Sequence, residues 1–296
     1  MAPPLSVVIP TTHRWPEVAL PLGSVWPEVN ALGAEIVIAD GTGAALPPDH
    51  PLDRITWLRA PGATVFELRA MGIAAARGDV VAVTEDHVTV PSDYCRQVLA
   101  AHAEHADALM IGGAVVNGST DPIGWASYFM SNIQALPPEL GPWNAPLTGQ
   151  ANITYKRRLF DQHPATTLQR ADLRAELQAK GLALNDPRIQ VLHIQSLGLR
   201  GSCMHHFHDG RHVASVRRAE LHGARWALEL AKDLSLGWRI PVAAARVLVR
   251  TALRYPSLRP DLAASAPMIA LLTGFHCAGE LAGFVAGPGD SPRHIP

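Results

Sequence analysis

Only three cysteines occur in the 296 residues, Cys95, Cys203 and Cys277, far apart and without a C-x-x-C spacing. That usage excludes both a disulfide framework and a zinc ribbon, and it fits a reducing cytosol. Charge of either sign is not in excess: 25 Lys and Arg stand against 26 Asp and Glu, a formal net charge of −1. Nucleic-acid binding requires cations that neutralise phosphates, so no nucleic-acid partner is expected. Met1 leads through two prolines into the first apolar run, with neither a basic segment nor a long apolar core before it. No secretory signal is therefore expected, and the expected location is cytoplasmic. There is no G-x-G-x-x-G fingerprint, no glycine-rich amino-terminal loop carrying a basic residue, and no internal repeat. A dinucleotide-dependent dehydrogenase and a nucleotidyltransferase both lose support.

What the chain does have is 48% hydrophobic content, enough for one large core or one core with an appendage. From Leu5 to about Gly113, short β-branched runs alternate with helical stretches, which marks an α/β fold with a parallel sheet and crossover helices. Strands are predicted over Ser6 to Pro10, Glu35 to Ala39, Arg54 to Leu58, Asp79 to Thr84 and Ala108 to Gly113. Each is a continuous apolar run, as a strand buried on both faces should be. Helices are predicted over Val65 to Arg77, with Gly78 as a left-handed stop, and over Ser92 to Glu104 behind a Ser or Asp cap. A proline-rich stretch from Pro137 to Pro146 reads as a loop able to cover a cleft. Asp172 to Lys180 reads as a helix stopped by Gly181, with Asp172 and Glu176 one turn apart, and Arg188 to Ile194 as a further strand.

Two of the strands end in acids. Val80-Val81-Ala82-Val83-Thr84 runs into Glu85-Asp86-His87, and Glu35-Ile36-Val37-Ile38-Ala39 runs into Asp40-Gly41-Thr42-Gly43. Open α/β sheets bind ligands beyond the carboxyl ends of their strands, so these residues suggest a cleft for a nucleotide or a metal-bound phosphate. Positions 85 and 87 share one side of an extended chain, where a carboxylate and an imidazole can hold Mn²⁺ or Mg²⁺. The bland alternative is a loop with a capping aspartate and an exposed histidine. For Asp40 the alternatives are a ribose or nucleobase acceptor and an Asx turn. His205-His206-Phe207-His208 offers a late metal or phosphate ligand, or a surface loop. Trp143, in the proline-rich stretch, offers an aromatic face for stacking.

In order and spacing these segments resemble the nucleotide-binding half of family 2 glycosyltransferases. The resemblance rests on Val7-Val8-Ile9-Pro10-Thr11, the Glu35 to Thr42 run, Arg69-Ala70-Met71-Gly72-Ile73 with Ala76 to Val81, and Glu85-Asp86-His87. Gly149 to Arg157, including Asn152, resembles that family's acceptor-side strand, and the helix at Asp172 resembles its acceptor-side helix. The resemblance covers roughly residues 5 to 195. It implies a GT-A fold, a mostly parallel sheet flanked by helices, and inverting transfer of a sugar from a nucleotide-diphospho-sugar donor. By the same resemblance Pro10, Thr11, Asp40, Arg69, Glu85 and Asp86 would line the nucleotide site. Glu85 and His87 would hold the divalent cation where the family carries Asp-x-Asp, in a form similar to the Asp-x-His of polypeptide N-acetylgalactosaminyltransferases, with His205 or His208 adding a ligand. Trp143 and Asn152 would face the acceptor.

One departure matters: where the family's acceptor helix begins with Glu-Asp, the latter acting as base, this chain has Gln169-Arg170. Asp172 or Glu176 would have to serve instead, or the chain would be a non-catalytic GT-A-fold binding protein. The GT-A domain is expected over 1–214 and a helical extension over 215–296. There Arg239, Arg246, Arg250 and Arg254 form one helical stripe, either a surface-binding face or the solvated side of a packing helix. Leu262 to Gly287 is apolar and long enough to span a bilayer, but Pro267, His276 and Glu280 interrupt it. One central acid costs about 2.5–3.5 kcal/mol on insertion, so a packed or monotopic helix is expected. The partners implied are a nucleotide-sugar, a lipid-linked or polysaccharide acceptor, and the inner face of the cell membrane through the C-terminal helices.

Overall fold

A computed structural model describes residues 2–13, 18–44, 55–143, 151–168, 171–195, 197–219 and 221–295. Arg54, Pro146, Gly149-Gln150 and Gln169-Arg170 lie outside the described residues. The chain begins β1 (Leu5–Thr11), α1 (Ala19–Leu32), β2 (Glu35–Asp40), β3 (Ile55–Arg59), α2 (Val65–Ala75) and β4 (Val80–Val83). Next come β5 (Val88–Thr89), α3 (Tyr94–Glu104), β6 (Met110–Asn117), α4 (Pro122–Ser131), β7 (Ile153–Lys156), α5 (Ala171–Ala179) and β8 (Ala183–His193). Four helices follow, α6 (Gly198–Ala219), α7 (Ala224–Leu234), α8 (Leu236–Arg254) and α9 (Arg259–Ala286).

Among the described residues, eight strands form one sheet in the order β3-β2-β1-β4-β7-β6-β8-β5. Strands β3, β2, β1, β4, β6 and β8 run one way, and β7 and β5 run against them. The expected mostly parallel α/β sheet is therefore present. Every residue of β1 and β2 is buried, which is why these strands read as unbroken apolar runs rather than alternating ones. On one face, Ile73 of α2 and Leu173 and Leu177 of α5 pack into a cluster with Val8, Val37, Val81 and Ile153.

Helix α2 starts with a capping box between Thr64 and Glu67 but ends at Ala75, short of the expected Arg77. Gly78 is not a left-handed stop: its φ is not among the positive values. Its constraint is proximity, since a Cβ there would lie 2.5 Å from the Ser6 backbone nitrogen. Gly181 does adopt φ +71° and closes α5 as its sequence position suggested.

The same corner holds a buried carboxylate paired with an exposed arginine. Glu35 accepts from the Ser6 hydroxyl at 2.6 Å, from the Arg77 backbone N–H at 2.6 Å and from the Arg77 guanidinium at 2.6 and 2.9 Å. Burial would raise its carboxyl, but the Ser6 and Arg77 hydrogen bonds outweigh it and hold the pKa below 4.5. A depressed folded pKa gives stability that is present above the unfolded value and lost as pH falls through the folded one. Glu35→Ala is accordingly expected to cost about 2 kcal/mol at neutral pH. Its deficit against wild type should shrink below pH 4.5 in urea titrations, and a deficit independent of pH would rule out the ion pair as its cause.

Contacts divide the chain into two compact units. One comprises Met1–Gly118, Gln134–Pro137 and Trp143–Ile194, and includes the whole sheet; the other comprises Ser119–Ile133, Pro138–Pro142 and Gln195–Pro296. Position 214, near the expected change of character, lies within α6. In the second unit, Arg217 and Arg239 pair with Asp233 and Glu280, tying together α6, α7, α8 and α9. The arginine stripe is thereby split. Arg239, only 14% exposed, turns into this network, while Arg246 and Arg250 remain exposed. The segment Pro256–Ala286 is long and apolar enough to cross a membrane, yet 44% of its most apolar window is buried within the protein. Leu262, Ile269, Leu272 and Phe284 form its buried side.

Candidate metal centre

Strand direction assembles this site. Because β1, β2, β4 and β8 are parallel, Thr11, Asp40, the residues after Val83, and His193 all arrive at one rim of the sheet. After β4 the chain turns through Glu85-Asp86-His87 into β5, which pairs antiparallel with the end of β8 and sets Val88 opposite His193. The Ile194 N–H donates to the His87 carbonyl at 3.0 Å. Residues 106 positions apart are thus placed side by side, with His87 Nε2 and His193 Nε2 at 2.9 Å.

Glu85 completes a triangle. Its Oε2 lies 3.4 Å from the Nε2 atoms of both His87 and His193, while its Oε1 accepts from the Arg69 guanidinium at 2.5 Å. Asp86 is the organiser beneath. Its Oδ1 is 2.8 Å from His87 Nδ1. Its Oδ2 meets the Thr11 hydroxyl at 2.8 Å, the Thr12 N–H at 3.1 Å and His13 Nδ1 at 2.8 Å. A proton held on His87 Nδ1 by Asp86 leaves Nε2 as the free donor, the arrangement by which carboxylates orient metal-binding histidines.

Burial and charge work against each other here. Burial alone would raise the Glu85 carboxyl, but the His193 hydrogen bond and the charges of His87 and Arg69 bring it to about 2. Asp86, also pushed up by burial, is held well below the usual carboxylate range by His13 and His87. Burial would lower the His87 imidazole, and the Asp86 bond and Glu85 charge raise it instead. His193 goes down, because its desolvation and the facing His87 outweigh its bond to Glu85.

The three donor atoms fit a cation. Six-coordinate Mn²⁺ or Mg²⁺ with ligands at about 2.1 Å places neighbouring ligand atoms roughly 3 Å apart, close to the spacings observed. Two imidazoles with one carboxylate suit Mn²⁺ better than the oxygen-seeking Mg²⁺. Among the described residues two convergent donor groups occur, Glu85 with His87 and His193, and His13 with Asp86 and His87. The second is already knit by the Asp86 hydrogen bonds, which makes the first the better cation site. His13 and His193 had no sequence signal beyond their position at strand ends.

The other predicted residues fall as follows. Pro10 and Thr11 are buried at the end of β1. Asp40 is 2% exposed, accepting from the Thr42 N–H and hydroxyl and from Trp57 Nε1, so the Asx turn is present. Asn152 is fully buried, not facing a cleft: its amide donates to the carbonyls of Ala114 and Ile189 and so joins β6 to β8. Trp143 donates to the Gln134 carbonyl at 3.2 Å. Asp172 is exposed, and Glu176 pairs with Lys180 at 2.5 Å on the surface. The same helix instead turns Arg174 toward a cleft it shares with Arg69, Tyr155, Val83 and Ile153. His205 and His208 sit on α6 in the second unit, where His208 contacts the Ser291 hydroxyl at 2.9 Å and the neighbouring His206 that of Ser127 at 3.0 Å. The late histidine brought to Glu85 and His87 is His193.

No protein-family model and no curated protein matches the chain in sequence. Among solved structures, it is similar to the mannosyltransferase PcManGT of Pyrobaculum calidifontis, determined with GDP-Man and Mn²⁺. That likeness has a TM-score of 0.56 at 15% identity and covers 96% of this chain and 88% of the other. At such low identity it speaks to architecture, and the architecture is GT-A-like: a mixed α/β sheet flanked by helices, with a helical C-terminal extension.

Proposed function

We propose that this protein is an inverting glycosyltransferase, similar to family 2, that moves a sugar from a nucleotide-diphosphate donor to a lipid-linked or polysaccharide acceptor at the inner face of the cell membrane. The observation that carries the reading is the Glu85, His87 and His193 triangle at the carboxyl rim of a GT-A-like sheet, where such sheets take their ligands. These three residues would hold Mn²⁺, whose charge would offset that developing on the leaving diphosphate. Asp86 fixes the His87 ring and, through Thr11 and Thr12, the end of β1 beside it. Arg69 neutralises the second oxygen of Glu85 and, with Arg174, gives the adjoining cleft a positive lining suited to anionic groups. That the solved GT-A enzyme of similar fold was determined with GDP-Man and Mn²⁺ agrees with this assignment.

Deprotonation of the acceptor hydroxyl falls to Asp172 or Glu176, both exposed on α5, Glu176 being paired with Lys180. That engagement also favours the second reading, a GT-A-fold protein that binds a nucleotide-sugar without transferring it. Thermal-shift measurements with a panel of nucleotide-sugars, with and without Mn²⁺, test both. A ligand at one hundred times its Kd raises stability by about 2.7 kcal/mol, and that gain should require the metal. Nucleoside diphosphate release in the presence of acceptor, lost in Asp172→Asn, supports transfer. Binding without release supports the second reading, and no metal-dependent shift with any donor removes both.

A further inference from the structure

Two helices of the second unit, α7 and α8, leave much of their apolar surface uncovered. Helix α8 buries only Ala244 and Thr251, both small, and leaves four bulky apolar residues exposed. Trp238 is 76% exposed, Val242 39%, Val249 56% and Leu253 62%. Their spacings of four, seven and four put them on one stripe. Helix α7 exposes Leu228 and Leu234 as well, at 69% and 62%.

Charge on these helices is one-sided. Residues 224–254 carry six Arg and Lys against two acids, Glu229 and Asp233. Both acids are engaged: Asp233 is fully buried between Arg217 and Arg239, and Glu229 pairs with Lys232. Arg225, Arg246 and Arg250 stay exposed, and the last two lie along one edge of the apolar stripe, roughly 50° and 90° from its centre line at about 100° per residue. An outward tryptophan and aliphatics edged by arginines match the boundary of an anionic bilayer, where rings and alkyl groups enter the headgroup region and guanidinium groups meet lipid phosphates. A second copy of this chain suits the face less well, because a two-fold pairing would oppose like charges.

We propose that α8, with the exposed side of α7, docks this protein onto an anionic lipid bilayer, lying in the interface without crossing it. The inference specifies the membrane contact of the proposed function but does not depend on sugar transfer.

Sedimentation of the full chain with vesicles tests it, using phosphatidylcholine alone and phosphatidylcholine with phosphatidylglycerol in equal parts. Wild type should pellet with the anionic vesicles and be released by salt, as exposed charge requires. The triple variant W238S/V249S/L253S and the double variant R246E/R250E should each bind at least about tenfold more weakly. Melting temperature and any nucleotide-dependent shift should be unchanged, which separates this result from failure of the transferase reading. If the triple variant melts early, the charge-reversal variant decides the matter. Wild type that stays in solution with anionic vesicles, or variants that pellet as wild type does, would overturn the proposal. So would a dimer that W238S/V249S/L253S dissociates while vesicle binding is nil, which would assign the face to a second copy.

Discussion

His87→Ala is expected to abolish Mn²⁺-dependent stabilisation by nucleoside diphosphate and to lower sugar transfer by about three orders of magnitude, equivalent to about 4 kcal/mol. The residue is chosen because it is the hinge of the site. Its Nε2 faces Glu85 and His193, and its Nδ1 faces Asp86. Removing it takes away one donor, the one that Asp86 holds in place. Asp86→Asn, which leaves the three donors in place, should have the milder effect of roughly 10- to 100-fold on metal affinity that is usual when an orienting carboxylate is lost. Isothermal titration with Mn²⁺ alone gives the comparison, and circular dichroism confirms that the variants are folded. Equal Mn²⁺ affinity in wild type and His87→Ala would remove this triangle as the metal site.

Gly279→Ala is expected to destabilise the protein by about 3 kcal/mol, although a Gly to Ala change inside a helix otherwise gains up to about 1 kcal/mol. Packing decides the sign. A Cβ at position 279 would lie 2.0 Å from the Phe207 carbonyl oxygen, and the same holds at Gly283 against Arg211 and, at 2.2 Å, at Gly210 against His276. These glycines let α6 and α9 approach backbone to backbone, so an added methyl must push the helices apart. Gly274, also on α9, meets nothing closer than 4.0 Å, and Gly274→Ala should be neutral or stabilising. Thermal denaturation should show a fall of roughly 6–12 °C for the first variant and none for the second. Stabilisation by Gly279→Ala would mean that the two helices do not pack at this distance.

The order of strands and helices was legible because strands buried on both faces must be continuous apolar runs. Leu5–Thr11, Glu35–Asp40 and Val80–Val83 fall within a residue or two of the segments read from the sequence. Glu85 and His87 were legible for the same reason: a polar residue directly after such a run must stand at the rim. Gly78 was misread, since a glycine needed for close approach to Ser6 looks, in sequence, the same as one needed for a left-handed turn. Arg239 was misread as surface, because four arginines in a stripe do not reveal that one of them meets a buried Asp233.

The sequence by itself determined which segments would be buried strands and which polar residues would terminate them, since both follow from local periodicity and from the cost of burying charge. Tertiary structure alone decided which histidine joined Glu85 and His87. That choice depended on a short antiparallel pairing of β5 with β8, between residues 106 positions apart, and no local pattern encodes a pairing of that separation. It also decided that α8 turns Trp238 outward, because an amphipathic pattern fixes the width of an apolar face but not the direction in which it points.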